Sequence, residues 1–225
     1  MDVILQLPLH MLSYLLWWLP VLGLLALLQS PTVKGMIGEW KVRFALRDLD
    51  HRLYVPLHDL LLETPEGTTQ IDHVVVSPFG IFVIETKNMR GWIFGSAQQA
   101  EWTQKIFRKH SRFQNPLRQN FKHCKAVEAL LQVPPETVHS LVAFVGNAQA
   151  KTEMPPNVFF DGGMTAYIQS FKQVVFTMKQ VEELFIELYV RAVPSTRGNR
   201  RRHVEGLRKR FAEAQTHPGK LRDPG

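Results

Sequence analysis

Hydrophobic residues recur along the chain with two different periods, which separate predicted helices from predicted strands. Apolar side chains that return every third or fourth position predict helices over residues 33–51, 115–131, 165–171 and 179–190. The second of these begins with Pro116 in its first turn, and Leu117, Phe121 and Val127 are expected to form its buried stripe. Amphipathic helices of this kind cover a hydrophobic core on one side only.

Shorter runs that are rich in Val, Ile and aromatic residues lie between these helices and predict strands. They cover residues 53–63, 70–77, 80–87, 91–95, 102–107, 138–145 and 157–160. Helices that alternate with strands in this way indicate an α/β domain, which is expected to span residues 33–193. The remaining residues form an N-terminal segment, 1–32, and a C-terminal tail, 194–225.

The N-terminal segment has no polar face. Residues 3–33 contain no Asp, Glu, Lys or Arg, and residues 11–28 are almost wholly apolar. Because about 20 apolar residues in a helix cross the ~30 Å hydrocarbon core of a bilayer, a transmembrane helix is predicted over about residues 5–28. A cleaved signal peptide and a buried core helix are the alternatives. The segment lacks the basic start and the small-residue cleavage site of a signal peptide.

Charged residues give the expected orientation of this helix and set the tail apart. No Lys or Arg precedes the apolar segment, whereas Lys34, Lys41 and Arg43 follow it. The positive-inside rule therefore predicts a single-pass protein of the cell inner membrane, with its N-terminus outside and its domain in the cytoplasm. Residues 191–225 carry ten of the 27 basic and three of the 20 acidic residues. The rest of the chain is therefore neutral overall, and the basic character belongs to the tail.

The basic tail has three open interpretations. It contacts the backbone of a nucleic acid, it lies on anionic lipid, or it is a solvated extension.

A single cysteine, Cys124, excludes an internal disulfide and a zinc site built from thiolates. A bound metal ion would therefore be held mainly by oxygen or imidazole ligands.

The most informative stretch is residues 69–87, where two apolar runs flank the turn residues Ser77-Pro78-Phe79-Gly80. If a hairpin closes with Ser77 opposite Gly80, Asp72 lies opposite Glu85, and Gln70 lies opposite Lys87. All four side chains then share one face of the sheet, because side chains alternate along a strand. A slip of the register by one residue would move Asp72 to the other face.

Two carboxylates that face each other across a ladder repel unless a cation lies between them. A hard divalent cation such as Mg²⁺ fits, because it is bound through one or two carboxylates together with water and substrate phosphate. Lys87 lies on the same face as Glu85, where an ammonium suits the positioning of a water or the neutralisation of charge at phosphorus. A structural salt bridge of Lys87 with Asp72 or Glu85 explains the same residues without catalysis.

A longer pattern extends from about residue 35 to 132, and its pieces follow one another in order along the chain. They are Gly38-Glu39, Gln70-Ile71-Asp72-His73, the run from Gly80 to Asn88, Gly91-Trp92-Ile93, Trp102 with Gln104, and the run from Asn115 to Asn120. In this order the pieces resemble the nuclease-related domain (NERD), a branch of the PD-(D/E)XK nuclease superfamily.

The resemblance implies a restriction-endonuclease-like mixed sheet of about four main strands flanked by helices. It implies that Asp72 and Glu85 bind Mg²⁺ or Mn²⁺ and that Lys87 is the catalytic lysine. Glu39 matches the first-helix acid that often completes the metal site. Gln119 matches a second-helix residue that assists in positioning substrate or metal.

Taken together, these features predict a membrane-anchored, Mg²⁺-dependent nuclease-like protein that hydrolyses phosphodiester bonds in DNA or RNA. The alternative is a non-catalytic module on a nuclease fold, which binds nucleic acid or serves as a scaffold at the membrane surface.

Among the other residues of the pattern, His73 is expected to be a buried, hydrogen-bonded imidazole. Trp92 and Trp102 are expected to be core or turn residues rather than platforms for base stacking, and Cys124 a packing residue.

Overall fold

The computed structural model describes residues 17–22, 31–65, 67–160 and 162–192. Its helices are α1 (Pro31–Ala45), α2 (Pro116–Leu131), α3 (Met164–Ser170) and α4 (Met178–Ala192), with 3-10 turns at Leu46–Asp48 and Pro135–Thr137. Its strands are β1 (Val55–Thr64), β2 (Gly67–Ser77), β3 (Gly80–Lys87), β4 (Gly91–Phe94), β5 (Glu101–Ile106), β6 (Lys109–Gln114), β7 (Val138–Phe144), β8 (Ala148–Ala150) and β9 (Val158–Phe160).

The strands form two mixed sheets rather than the single sheet of about four strands that was expected. The main sheet has the order β1-β2-β3-β7-β9, in which β1, β2 and β3 are antiparallel neighbours and β3, β7 and β9 run parallel. The smaller sheet has the order β6-β5-β4-β8. The chain leaves the main sheet after Lys87 and turns at Gly91, whose φ of 80° is a left-handed conformation that suits glycine.

Helices cover both faces of the main sheet. Successive side chains of β2 and β3 point to opposite faces, so each belongs to one of two hydrophobic cores. Val74 and Val83 face α2 and α4, where they pack with Val127 and Leu188. Residues of the opposite parity pack with α1 and α3, as Phe82 does. The centre of β3 is therefore buried on both faces, which explains its nearly continuous apolar run.

All four predicted helices are confirmed, the first as α1 with the 3-10 turn that follows it, but α2 does not bury the expected face. In α2, Phe121 is 57 % exposed, so the predicted stripe of Leu117, Phe121 and Val127 is wrong at this position. Asn120 and Cys124 are buried in its place, because α2 contacts the main sheet where β3 and β7 present polar groups. In α1 the core side is formed by Val42, which leaves a more hydrophobic stripe exposed.

That exposed stripe of α1 contains four large apolar side chains, which are 44–63 % exposed. They are Met36, Ile37, Trp40 and Phe44, and the rings of the last two are stacked with their centroids 5.8 Å apart. Residues at these spacings lie along one side of a helix. The stripe is the hydrophobic surface that α1 does not use for the core.

Most of the predicted transmembrane helix lies outside the described residues. Within it, residues 17–22 are helical and exposed. Among the helices that the structure describes, none is long and apolar enough to cross a membrane. The tail 194–225 also lies outside the described residues, so its interpretations stay predictions.

Candidate active site

The register of the β2–β3 hairpin is the one expected from the turn residues. Ser77 pairs with Gly80, and the ladder continues to the pair His73 and Ile84. Beyond that pair the two strands separate, and Gln70 pairs with Leu61 of β1 instead of Lys87. The predicted position of Gln70 beside Lys87 is therefore wrong, because β2 ends its pairing with β3 three residues earlier.

Asp72 lies where β2 and β3 separate. Its side-chain carboxylate, instead of a main-chain carbonyl of β2, accepts a hydrogen bond from β3. The Thr86 N–H donates a hydrogen bond of 2.8 Å to Asp72 Oδ2. This bond holds the Asp72 side chain beside the residue that follows Glu85. The hairpin therefore brings the two predicted carboxylates together even though they are not a paired position of the ladder.

Lys87 is held by two oxygen acceptors from different elements. Its ammonium donates to Glu85 Oε1 at 2.7 Å and to Gln119 Oε1 at 2.9 Å. Glu85 and Lys87 are two residues apart in β3 and point to the same side, as predicted from the alternation of a strand. Gln119 comes from the first turns of α2, so the helix and the strand together fix the position of the lysine nitrogen.

His123 is a site residue that the sequence reasoning missed. Its Nε2 lies 3.2 Å from Glu85 Oε2, and its Nδ1 lies 2.9 Å from Thr69 Oγ1. A signal existed in the sequence, because His123 follows Gln119 by four residues and four residues place two side chains on one helix face. The ring therefore contacts the carboxylate from the side opposite to Lys87.

The two carboxylates have pKa values shifted in opposite directions. Burial is the main cause that raises the pKa of Asp72 to about 6, and the negative charge of Glu85 and a smaller effect of Glu39 add to it. The Thr86 N–H and the Lys87 ammonium oppose this rise. Burial also acts to raise the pKa of Glu85, but contacts with His123 and Lys87 outweigh it, so the pKa of Glu85 lies below its ordinary value. Glu85 therefore loses its proton at a lower pH than Asp72, whose charged form is destabilised by burial and by the negative charge of Glu85.

The donor set fits a divalent cation held by two carboxylates. No three His, Cys, Asp or Glu side chains in the described ranges are grouped so that they would hold a metal by themselves. Mg²⁺ does not require such a group, because water and substrate phosphate complete its coordination. Glu85 Oε2 is buried, and its neighbour among the described residues is His123 Nε2 at 3.2 Å, without the alignment of a hydrogen bond, so the oxygen keeps capacity to bind a cation. Glu39 influences Asp72 through its charge.

Two buried asparagines, Asn115 and Asn120, have structural roles in the run from Asn115 to Asn120 that the sequence analysis singled out. The side-chain oxygen of Asn115 caps the helix by accepting from the Leu117 N–H at 2.9 Å, and its amide donates to Gln99 O at 2.7 Å. The Asn120 amide donates to Val83 O at 2.8 Å and to Leu141 O at 2.9 Å. These bonds attach α2 to β3 and β7 and so align Gln119 with the end of β3.

Other residues of the pattern lie in the core. His73 is buried and its Nδ1 lies 2.9 Å from His58 Nδ1, which confirms the expected buried, hydrogen-bonded imidazole; burial lowers its pKa to about 3. Trp102 and Cys124 are buried, as expected. Trp92 is 45 % exposed and lies within β4, so the expectation of a core or turn residue is wrong at this position. An open cleft of about 910 Å³ beside the smaller sheet is lined by none of the predicted site residues.

A mixed α/β domain with an Asp…Glu-x-Lys set on a hairpin, completed by a glutamine from the neighbouring helix, defines a nuclease-like protein. The model of the nuclease-related domain (NERD) family matches residues 34–145. The chain is also similar to an uncharacterized protein of Bacillus anthracis. The two are 38% identical over 188 residues, which cover 81% of this chain and 88% of the relative. No solved structure matches the chain significantly. The chain belongs to the NERD family, with which the assignment to the PD-(D/E)XK superfamily is consistent.

Proposed function

We propose that this protein is a membrane-anchored, Mg²⁺-dependent nuclease that hydrolyses phosphodiester bonds in DNA or RNA. The observation that carries the proposal is the position of the Lys87 ammonium. It lies 2.7 Å from Glu85 and 2.9 Å from Gln119, on the strand whose neighbour supplies Asp72. A salt bridge alone would not require the second, strongly perturbed carboxylate beside it.

Each group has a defined role in this proposal. Asp72 and Glu85 would hold Mg²⁺ or Mn²⁺, and Glu39 would add negative charge beside Asp72. The bound ion would polarise the phosphoryl group and offset the charge of the departing oxygen. Lys87 would hold the attacking water in line with the phosphorus and stabilise the charge that develops on the phosphoryl oxygens. Gln119 would keep the lysine nitrogen in position, and His123 would fix the Glu85 carboxylate.

We expect the purified full chain in mild detergent to cut labelled DNA or RNA in Mg²⁺ or Mn²⁺ and to stop cutting in EDTA. Glu85→Gln should lose at least about 100-fold in rate, because an amide is a poor ligand for a divalent cation. Glu187→Gln is the matched control, since Glu187 also accepts a hydrogen bond from a cation, Arg191, at 2.7 Å, but on the exposed face of α4. Binding without cleavage under every metal tested would select the non-catalytic binding module instead.

Two features support a position at the inner membrane with the domain in the cytoplasm. Residues 3–33 carry no charged residue, and Lys34 and Lys41 follow them. Helix α1 begins at Pro31, soon after the apolar residues 11–28, and exposes the stripe of Met36, Ile37, Trp40 and Phe44. A helix that leaves a bilayer and exposes an apolar side is suited to lie against the lipid interface.

We expect the full chain to remain in the membrane fraction through an alkaline carbonate wash. In right-side-out vesicles, added protease should leave the domain intact, because it would lie inside. A variant with Leu15→Lys and Leu24→Lys should be released by the wash, since each lysine at the centre of a membrane helix costs about 2.5–3.5 kcal/mol. Release of the unaltered chain would contradict the anchor, and a shortened mature chain would indicate a cleaved signal peptide.

A further inference from the structure

The hairpin of β5 and β6 is basic although the domain as a whole is neutral. Residues 101–114 contain four Lys or Arg residues and one acidic residue, Glu101, which lies 3.8 Å from Arg112. All residues from Phe107 to Arg112 are exposed. The hairpin therefore projects a local positive charge that the overall composition hides, and phosphate groups are the natural counterpart of such a surface.

An exposed tryptophan lies among lysines on the outer face of the smaller sheet. Trp92 of β4 pairs with Lys105 of β5, so the two side chains share a face. The Lys105 Nζ lies 5.5 Å from the centre of the Trp92 ring, and the Lys151 Nζ lies 4.9 Å from it. An aromatic ring with ammonium groups beside it matches the combination that holds a nucleic-acid strand, in which bases stack and phosphates pair with cations.

The tip of the hairpin carries a second exposed aromatic ring. Phe107 is 94 % exposed, the highest value among the large hydrophobic side chains of the described residues. Its φ of 53° is left-handed, a conformation that a bulky residue rarely adopts in a turn. Arg108 and Lys109 follow it directly. A phenylalanine that is exposed to solvent beside cations contributes little to the packing of this domain. Its ring is therefore free to contact a partner.

The register of the smaller sheet puts this tip at the end nearest Lys87. Trp92 pairs with Lys105, and Gly91 packs against the Lys105 carbonyl and the Ile106 side chain, so the end of β5 that leads to the tip lies at the start of β4. Gln104 Nε2 donates to Arg90 O at 2.8 Å, which ties the hairpin to the connection after β3. Trp92 is only five positions after Lys87, so their Cα atoms lie within about 18 Å.

We propose that Trp92, Lys105, Lys151 and the Phe107 tip form a binding surface for single-stranded nucleic acid, which leads an unpaired strand to Lys87. This inference rests on the proposed nuclease function, because the bound strand is its substrate. Exposed rings stack on bases only when those bases are unpaired, so the two aromatic residues favour a single strand over a continuous duplex. The nearby cleft is not part of the surface, because two carboxylates line it, Glu101 and Glu153, and its one cationic side chain, Arg112, lies 3.8 Å from Glu101.

The test measures binding of the full chain in mild detergent to a fluorescent 20-nucleotide single strand and to the matching duplex, in EDTA so that no cleavage occurs. Phe107→Ala and Trp92→Ala should each weaken single-strand binding about 5- to 100-fold and change duplex binding less. The double variant with Lys105→Ala and Lys151→Ala should lower the slope of log affinity against log salt by about 1.4. Phe121→Ala is the matched control, since Phe121 is also exposed and has the Lys125 Nζ 5.3 Å from its ring, but on α2. It should change nothing.

Three results would overturn the inference. They are binding that is unchanged in all the variants, a preference for duplex that depends on the same residues, and a Phe107 effect that appears only on anionic vesicles. The last result would assign the tip to the membrane surface. The proposed function fails separately: cleavage that is the same with and without the Lys87 ammonium contradicts it, whatever the binding data show. Cleavage that needs Lys87 but not Trp92 or Phe107 would reject this surface alone.

Discussion

Lys87→Ala should lower the rate of phosphodiester cleavage about 10²- to 10³-fold and leave nucleic-acid binding nearly unchanged. The expected loss of rate follows from removing one positioned cationic hydrogen-bond donor. Such a loss is typical when the donor stabilises charge that develops in the transition state. Lys87 is well placed for such a role because Glu85 and Gln119 hold its ammonium from two sides. A loss of kcat at constant KM would therefore be expected.

Lys179→Ala is the control for the general loss of a lysine, because Lys179 lies exposed on α4 and is 3.8 Å from Glu183. The folded state of Lys87→Ala must be checked by thermal melting, since the variant leaves the buried Glu85 carboxylate with only His123 beside it. Lys87→Met, which keeps the length of the side chain, separates loss of charge from loss of packing. Full activity in both variants would refute the catalytic role.

Asp72→Asn should make the metal-free protein more stable at pH 7 while it removes cleavage. The folded state raises the pKa of Asp72 from 3.8 to about 6, so folding favours the protonated carboxyl. The folded protein therefore loses stability as the pH rises from about 4 to about 6, and the loss is complete above that range. A shift of this size corresponds to roughly 2–3 kcal/mol at pH 7. Asparagine removes the charge and keeps an acceptor for the Thr86 N–H.

Melting temperatures between pH 4 and pH 8 in EDTA test this prediction. The variant should melt roughly 5–10 °C above the unaltered chain at pH 7 and show little difference at pH 4. Mg²⁺ should raise the melting temperature of the unaltered chain and have a much smaller effect on the variant, since a ligand stabilises only the state that binds it. A variant that is less stable at pH 7, or equally stabilised by Mg²⁺, would show that Asp72 has a structural role instead.

The convergence of the site could be predicted because it depends on short-range rules. Pro78 and Gly80 select the turn, the turn selects the register, and strand alternation then puts Glu85 and Lys87 on one side. Asp72 reaches the same place through a bond to the Thr86 N–H, which no ladder rule describes. The predicted closeness of Asp72 to Glu85 is therefore found, but the two residues do not pair across the ladder, which was the expected cause.

Features that depend on packing between distant segments could not be predicted in the same way. Strand β6 has almost no apolar alternation, because charged and hydroxyl side chains fill it, and it forms only by pairing with β5. Phe121 follows the helical period of the α2 stripe but is exposed, since the main sheet presents polar groups there that Asn120 satisfies. His123 became a site residue through its approach to Glu85 in space.

The amide of Asn120, which bonds to carbonyls on two adjacent strands, has a consequence for how the protein would adapt to a substrate. It prevents α2 from sliding or tilting relative to β3 without breaking buried bonds, so Gln119 and His123 keep a constant distance from the strand that they face. The smaller sheet belongs to the same fixed unit, because Ile93 and Trp102 pack against Val142 and Phe144 and the Asn115 amide donates to Gln99 O. If the proposed function holds, adjustment to strands of varied shape would be left to the exposed hairpin tip, residues 107–112, while the groups around Lys87 keep their distances.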